Sequence, residues 1–172
     1  MEVAKGPDDT ADQEFRRIVE MYQTSLLRMC SAQLQDSVLA EDAVQETFIK
    51  IYRSLPSFKK ESGEKAWIMK IAVNTCRDMR RSKWFRYVDR RVTPDSLPDE
   101  QATIEETDDE LTSAILNLSQ KLREVVMLFY YQDMKLNEIA EILAVTVSTV
   151  ASRLSRARKK LKDALERSDF DD

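Results

Sequence analysis

This sequence predicts an all-helical chain folded as two small units, from three observations. Apolar residues recur at three and four positions almost throughout, two Gly and four Pro are all that interrupt 172 residues, and one acidic stretch splits the pattern. Spacing of three and four follows the turn of a helix. No segment alternates with period two for long enough to make a strand, and scarce Gly and Pro argue against a turn-rich β sandwich or barrel. The length suits one ordinary domain or two small ones. A hydrophobic content of 42% is enough for packed cores.

The elements follow in order. Phe15, Ile18, Val19, Tyr22, Leu26, Met29 and Cys30 mark a first amphipathic helix. A second runs from about Val38 to Arg53, with Ala43, Val44, Thr47, Phe48, Ile51 and Tyr52 inward. Glu41 and Asp42 lie near its start, where acids suit the helix dipole. Pro56 stops it, and SFKKESGEK reads as a loop. A third helix is expected from Glu64 to about Arg81, with Trp67, Ile68, Ile71, Ala72, Thr75 and Met79 on one face. Trp67 reads as core in preference to a stacking surface.

Residues 94–110, PDSLPDEQATIEETDDE, carry eight acids and no base, more than the whole chain's net charge of −4. Such a segment cannot bury enough surface to offset its ordering entropy, so it is expected to be a flexible linker. The units are expected at 12–93 and 111–167; residues 1–93 sum to +3 and residues 111–172 to +1, so the acidic pI does not argue against binding nucleic acid. Beyond it four short helices are predicted, carrying Leu111 to Leu118, Leu122 to Tyr130, Leu136 to Leu143 and Val150 to Leu165. Ser119 and Ser148 are placed to cap the second and the fourth.

Composition excludes several functions. There is no His, so triads built on it are absent along with the commonest metal ligand. Cys30 and Cys76 are too few for a disulfide framework or a Cys-rich zinc site and read as buried small hydrophobes. No glycine loop for nucleotides occurs. The polar N-terminus is not expected to be a signal peptide, and no apolar run approaches the length of a membrane span. A carboxylate-metal enzyme would have to use Glu105, Glu106, Asp108, Asp109 and Glu110, in the segment least able to hold geometry. No catalytic residue, cofactor or metal is expected, and the setting is expected to be cytoplasmic.

Two stretches are basic. Lys70 to Arg91 holds eight bases against Asp78 and Asp89, with Trp84, Phe85 and Tyr87 interleaved. Ser148 to Lys162 holds six bases and no acid. Both fit phosphate neutralisation and both fit solvated helix faces. The last two helices also have the needs of a helix-turn-helix: small Ala140, the turn Ala144-Val145-Thr146-Val147, and Val150 locking the second helix. Ser152, Arg153, Ser155, Arg156 and Lys159 would face a major groove, where Arg pairs with guanine. An ordinary helical hairpin with a basic end fits the same pattern. Ala144 stands where Gly would turn more easily.

Taken in order, AEDAVQETFIKIYRSL (40–55), KAWIMKIAVNTCRDMRR (65–81), LNEIAEIL (136–143) and STVASRLSRARKKL (148–161) resemble an extracytoplasmic-function sigma factor, a small member of the bacterial sigma-70 family. The resemblance runs from about Phe15 to Leu165. It implies sigma domain 2 in the first unit and domain 4 in the last, with partners in the RNA polymerase core (the β′ clamp helices and the β flap) and in promoter DNA. Asp42, Gln45, Glu46, Ile49 and Tyr52 would grip the clamp helices. The −10 element, held melted with a base out of the stack, would meet Phe58, Lys59, Lys60, Lys65, Asn74, Arg77, Asp78 and Arg81. The −35 element would meet Ser152, Arg153 and Arg156 at base edges and Thr149, Arg158, Lys159 and Lys160 at phosphates.

Thr146 and Ser148 stand where the family commonly has Pro and Gly, and Ala151 where it commonly has a base, which puts the −35 sequence in question. The linker would cross the polymerase through basic channels, or serve as a solvated tether. An anti-sigma factor is a further partner that the resemblance implies. The competing reading is a stand-alone helix-turn-helix regulator with a helical sensor domain. It shares the DNA end and predicts no affinity for core polymerase.

Overall fold

A computed structural model describes residues 7–60, 63–89 and 110–168, and its described residues are helical with short connections and no strand. The first unit is three helices: α1 (Pro7–Leu34), α2 (Ser37–Ser54) and α3 (Glu64–Asp89). The second is α4 (Glu110–Leu116), α5 (Gln120–Val126), a π turn (Met127–Tyr131), α6 (Leu136–Leu143) and α7 (Val147–Ser168).

Local chemistry sets the joints. Gln35 takes a left-handed conformation (φ 51°) after α1, and Asp36 then accepts the backbone N–H of Leu39 at 2.9 Å as the N-cap of α2. Because α2 starts at Ser37, Glu41 and Asp42 fall in its second turn, where the dipole helps them less than expected. A 3₁₀ turn, Leu55–Ser57, ends it at Pro56. Gly63, at φ 72°, opens the way into α3. That helix runs beyond the expected end near Arg81, since no breaker occurs there, and Trp84, Phe85 and Tyr87 lie on its last turns.

Both cap expectations in the second unit need correction. The Ser119 side chain makes no cap bond; its backbone carbonyl accepts Leu122 and Arg123 N–H instead. Ser148 lies inside α7, and the cap is Thr146, whose Oγ1 accepts the Thr149 N–H at 3.2 Å. Of the expected linker, residues 94–110, all but Glu110 lie outside the described residues, and Glu110 already opens α4.

Each unit has an aliphatic core. Ile18, Leu26, Met29, Ala40, Ile51 and Ile68 are fully buried in the first, and Val125, Leu128, Ile139, Val150 and Ala157 in the second. Each larger one contributes about 1.5–3 kcal/mol by leaving water. Cys30 and Cys76 meet between α1 and α3, where hydrogen bonding to Cys76 and then burial push the Cys30 thiol up. The burial of α3 is broader than the expected stripe, because Met69, Val73 and Cys76 are buried too.

The reason is that α3 packs against α1, α2 and also α6, so the two units are docked together. Among the described residues, three polar contacts join them. The Arg77 guanidinium pairs with Glu124, Gln35 Nε2 donates to the Leu116 carbonyl at 2.9 Å, and Gln132 Nε2 donates to the Ser25 carbonyl at 3.3 Å. Gln132 and Glu124 are both buried by this contact.

Candidate nucleic-acid and partner surfaces

The helix-turn-helix is built on one unusual residue. α6 enters with the Lys135 backbone N–H donating to Glu138 Oε2 at 2.8 Å, and it ends at Ala144 with φ 55° and ψ 47°. A left-handed Ala is strained by its Cβ, which is the difficulty expected of a residue standing in for Gly. The following amide, Val145 N–H, bonds back to the Ala140 carbonyl at 3.0 Å, so the chain reverses tightly into the Thr146 cap. Thr146 Oγ1 also lies 2.8 Å from Thr149 Oγ1, which occupies that hydroxyl.

Val150, Leu154 and Ala157 bury one stripe of α7, with Leu161 half-buried beyond them. The opposite arc carries Ser152, Arg156, Lys159 and Lys160, all exposed, with Thr149 and Arg153 half-buried at its edge. Among the described residues Arg156 is held only by its own helix, 3.4–3.5 Å from Ser152. Arg158 does not join this arc. It falls on the other flank, where its Nε donates to Tyr130 Oη at 2.5 Å and its guanidinium lies 5.7 and 5.6 Å from the Phe129 and Tyr130 ring centroids. The π turn supplies both rings, which spacing alone does not reveal.

On α3, Asn74, Asp78 and Arg81 are exposed and share a face at steps of four and three. Lys50 of α2 sits beside Asp78 at 3.9 Å and donates to Thr75 Oγ1 at 3.1 Å. Arg77 is turned away from that face. Its Nε and Nη2 bind the two Glu124 oxygens at 3.0 and 2.9 Å, and Glu124 is 1% exposed. That bidentate bond holds the Arg77 pKa above its ordinary value.

The loop before α3 stacks Phe58 on Trp67, with centroids 4.1 Å apart and planes 13° apart. Trp67 is half-buried, so it serves core and loop together. Lys59 and Lys60 are exposed and Lys65 half-buried. Beside Phe58 and Lys60 opens a cleft of about 340 Å³, completed by Glu14, Arg17 and Glu64. Arg17 bridges Glu14, at 2.7 Å, and Glu64, while Tyr22 Oη donates to Glu64 Oε1 at 3.1 Å. Burial, with Glu64 beside it, pushes the Tyr22 pKa up to about 12, and the Arg17 hydrogen bond lowers that of Glu14. Glu14, Arg17 and Glu64 were not legible as a group, since α1 meets the start of α3 only in the fold.

On α2, Asp42, Gln45, Ile49 and Tyr52 are exposed and Glu46 half-buried, all on one side. Tyr52 leans outward, not inward as its spacing suggests, and is 50% exposed. Its ring edge meets Phe15 at 5.0 Å and its hydroxyl donates to Asp12 at 3.2 Å. Val38, 67% exposed at the start of α2, extends this apolar strip. Among the described residues no helix is long and apolar enough to cross a membrane, and no group of three Cys, Asp or Glu could hold a metal ion.

Comparison with known proteins matches residues 18–86 to Sigma-70 region 2 and residues 108–161 to Sigma-70, region 4. The chain is 31% identical to the ECF RNA polymerase sigma factor SigW of Bacillus subtilis, over 95% of this chain and 93% of that one. It is 28% identical to the RNA polymerase sigma-H factor of Pseudomonas aeruginosa, over 88% and 86%. Among solved structures it is similar to the sigma factor RpoE in complex with the anti-sigma factor NepR from Bartonella quintana. That match has a TM-score of 0.73 and 25% identity, and covers 90% of this chain and 98% of that one. CnrH, in complex with the cytosolic domain of CnrY, shares the fold at a TM-score of 0.66 and 23% identity.

Proposed function

The chain belongs to the extracytoplasmic-function group of sigma-70 RNA polymerase sigma factors, and from that premise we propose how its surfaces divide the work of promoter-specific initiation. Residues 12–93 act as the core-binding and −10 unit and residues 111–167 as the −35 unit, with 94–110 between them. The α2 strip of Asp42, Gln45, Glu46, Ile49 and Tyr52, extended by Val38, docks on the β′ clamp helices. It combines exposed apolar area with flanking acids, which suits a partner surface that is apolar and basic. The β flap is the partner of the second unit, and the chain works in the cytoplasm with the polymerase. An anti-sigma factor is a further partner, a reading supported by the complex with the anti-sigma factor NepR in which the similar RpoE was solved.

The observation that carries the DNA reading is the open arc of α7, a capped helix start with Ser152, Arg153 and Arg156 outward and no acid until Asp163. Arg156 reads base edges in a major groove, while Lys159 and Lys160 neutralise phosphates and the uncharged Thr149 makes a polar contact to one once its hydroxyl turns from Thr146. Arg158, held by Tyr130, positions the flank of the helix against the backbone. At the −10 element, Phe58, Lys59, Lys60 and Lys65 meet the melted strand from the loop, and Asn74, Arg77, Asp78 and Arg81 meet it from α3. Promoter opening in this reading is selective binding of the unstacked strand, and the chain carries out no chemical step.

Run-off transcription with purified chain, bacterial core polymerase and a pool of promoter fragments tests this. Transcripts starting downstream of one shared two-element sequence are expected. Duplex binding with no affinity for core polymerase would assign the chain to stand-alone regulators instead.

A further inference from the structure

The docked contact between the units is electrostatically lopsided. Arg77 takes both oxygens of Glu124, Gln120 Nε2 donates to one of them at 3.2 Å, and Arg80 and Arg123 lie near enough for the charge of that one carboxylate to act on them. Arg80 Nη2 donates to the Gln33 carbonyl at 3.0 Å, and Arg123 Nη1 to the Leu116 and Leu118 carbonyls at 2.7 and 3.1 Å. Arg80 Nη1, Arg123 Nε and both polar side-chain atoms of Gln33 are buried without a hydrogen-bond partner. Three cations to one anion, with orphaned donors, make a contact that is held and also primed to part, since each buried orphan favours water. Removing the Glu124 charge would leave all three cations uncompensated.

The docked form also cannot serve a whole promoter. The −35 and −10 elements, 25 positions apart by their names, lie about 85 Å apart at 3.4 Å per base pair. A compact chain of 172 residues has a radius of gyration of only about 16 Å. The units must therefore separate before both elements are read. In the docked form the α7 arc is open, while Arg77, one of the −10 residues, is engaged by Glu124.

We propose that the Arg77–Glu124 pair is an autoinhibitory latch: Glu124 occupies the Arg77 guanidinium in the closed chain, and a phosphate of the melted −10 strand takes its place when the units part. This rests on the reading of Arg77 as a −10 contact. It makes Glu124, a residue of the −35 unit, a controller of −10 binding.

The test uses the full chain with fluorophores at Glu41→Cys on α2 and Lys162→Cys on α7, both exposed positions. The ligand is the single-stranded −10 oligonucleotide of a promoter that the run-off assay identifies. Glu124→Gln, nearly the same size, is expected to lower energy transfer and tighten oligonucleotide binding on the order of tenfold, a common scale for coupling between two states. Arg77→Glu together with Glu124→Arg should restore the transfer, which also shows that the interface still folds. In the Glu124→Gln background, Arg77→Ala should abolish the gain in affinity. Unchanged transfer in Glu124→Gln overturns the latch while leaving the −10 role of Arg77 intact. Opening without any dependence of binding on Arg77 overturns that role and the proposal with it.

Discussion

The helices that carry the two DNA-reading surfaces differ in how much of each is buried. At 100° per residue, the buried positions of α7 (Val150, Leu154, Ala157) span about 60° of its circumference. Those of α3 (Ile68, Met69, Ala72, Val73, Thr75, Cys76) span about 160°. The α7 helix can devote the rest of its surface to a ligand, and among the described residues Arg156 is held by nothing beyond its own helix. The α3 helix has a narrow exposed strip, so its polar residues serve the fold and the ligand at once. Arg77 and Arg156 are the same residue type on similar helices, yet one is half-buried and paired with a buried carboxylate and the other is solvated. The breadth of packing around a helix, more than its sequence of charges, decides which cations are available.

The comparison breaks most visibly in the cores. Leu26→Ala in the first unit and Leu128→Ala in the second, both fully buried, should each cost about 2–5 kcal/mol. Since the units are docked, urea unfolding followed by tryptophan fluorescence and by helicity should still show one transition. Two separated transitions would mean that the docking adds little to either unit.

The next effect concerns the open arc alone. Arg156→Ala should lose about 1–3 kcal/mol of discrimination between promoters altered at single −35 positions, measured by competition binding. An equal loss on every sequence would make Arg156 a phosphate contact. Lys159→Ala and Lys160→Ala should do just that, each weakening binding uniformly and lowering the salt slope by about 1.

Thr146→Ala should destabilise the chain by about 1 kcal/mol through the lost cap, whereas Ser148→Ala should have almost no effect on the melting temperature. Equal losses would return the cap to Ser148. Smallest of all, Ala144→Gly should stabilise by about 0.5 kcal/mol, because relief of left-handed strain outweighs the added freedom of the unfolded chain. A drop in melting temperature would show that the Ala144 side chain contributes packing that outweighs its strain.

Much of this was legible beforehand because it depends on neighbours in sequence. Periodicity located the seven α-helices of the described residues, since three- and four-residue spacing is a local property of the backbone. The turn from Ala140 to Val150, with Ala144 as its awkward residue, was readable for the same reason. The errors were also local in kind. Capping by Thr146 instead of Ser148 reflects a helix start displaced by two residues, and Tyr52 follows the apolar spacing while its ring edge rests on Phe15 and its hydroxyl reaches out to Asp12.

Helix positions, the core stripes and the open basic arc of α7 were thus determined by the sequence alone. The cleft that joins Glu14, Arg17 and Glu64, the Phe129–Tyr130 seat of Arg158, and the Arg77–Glu124 pair were decided only by tertiary structure. Each brings together residues 28 to 50 positions apart, and no periodicity in a helical chain specifies such separations. Their geometry comes from which helix flanks pack, and that is settled by burying the apolar surface of the whole chain together.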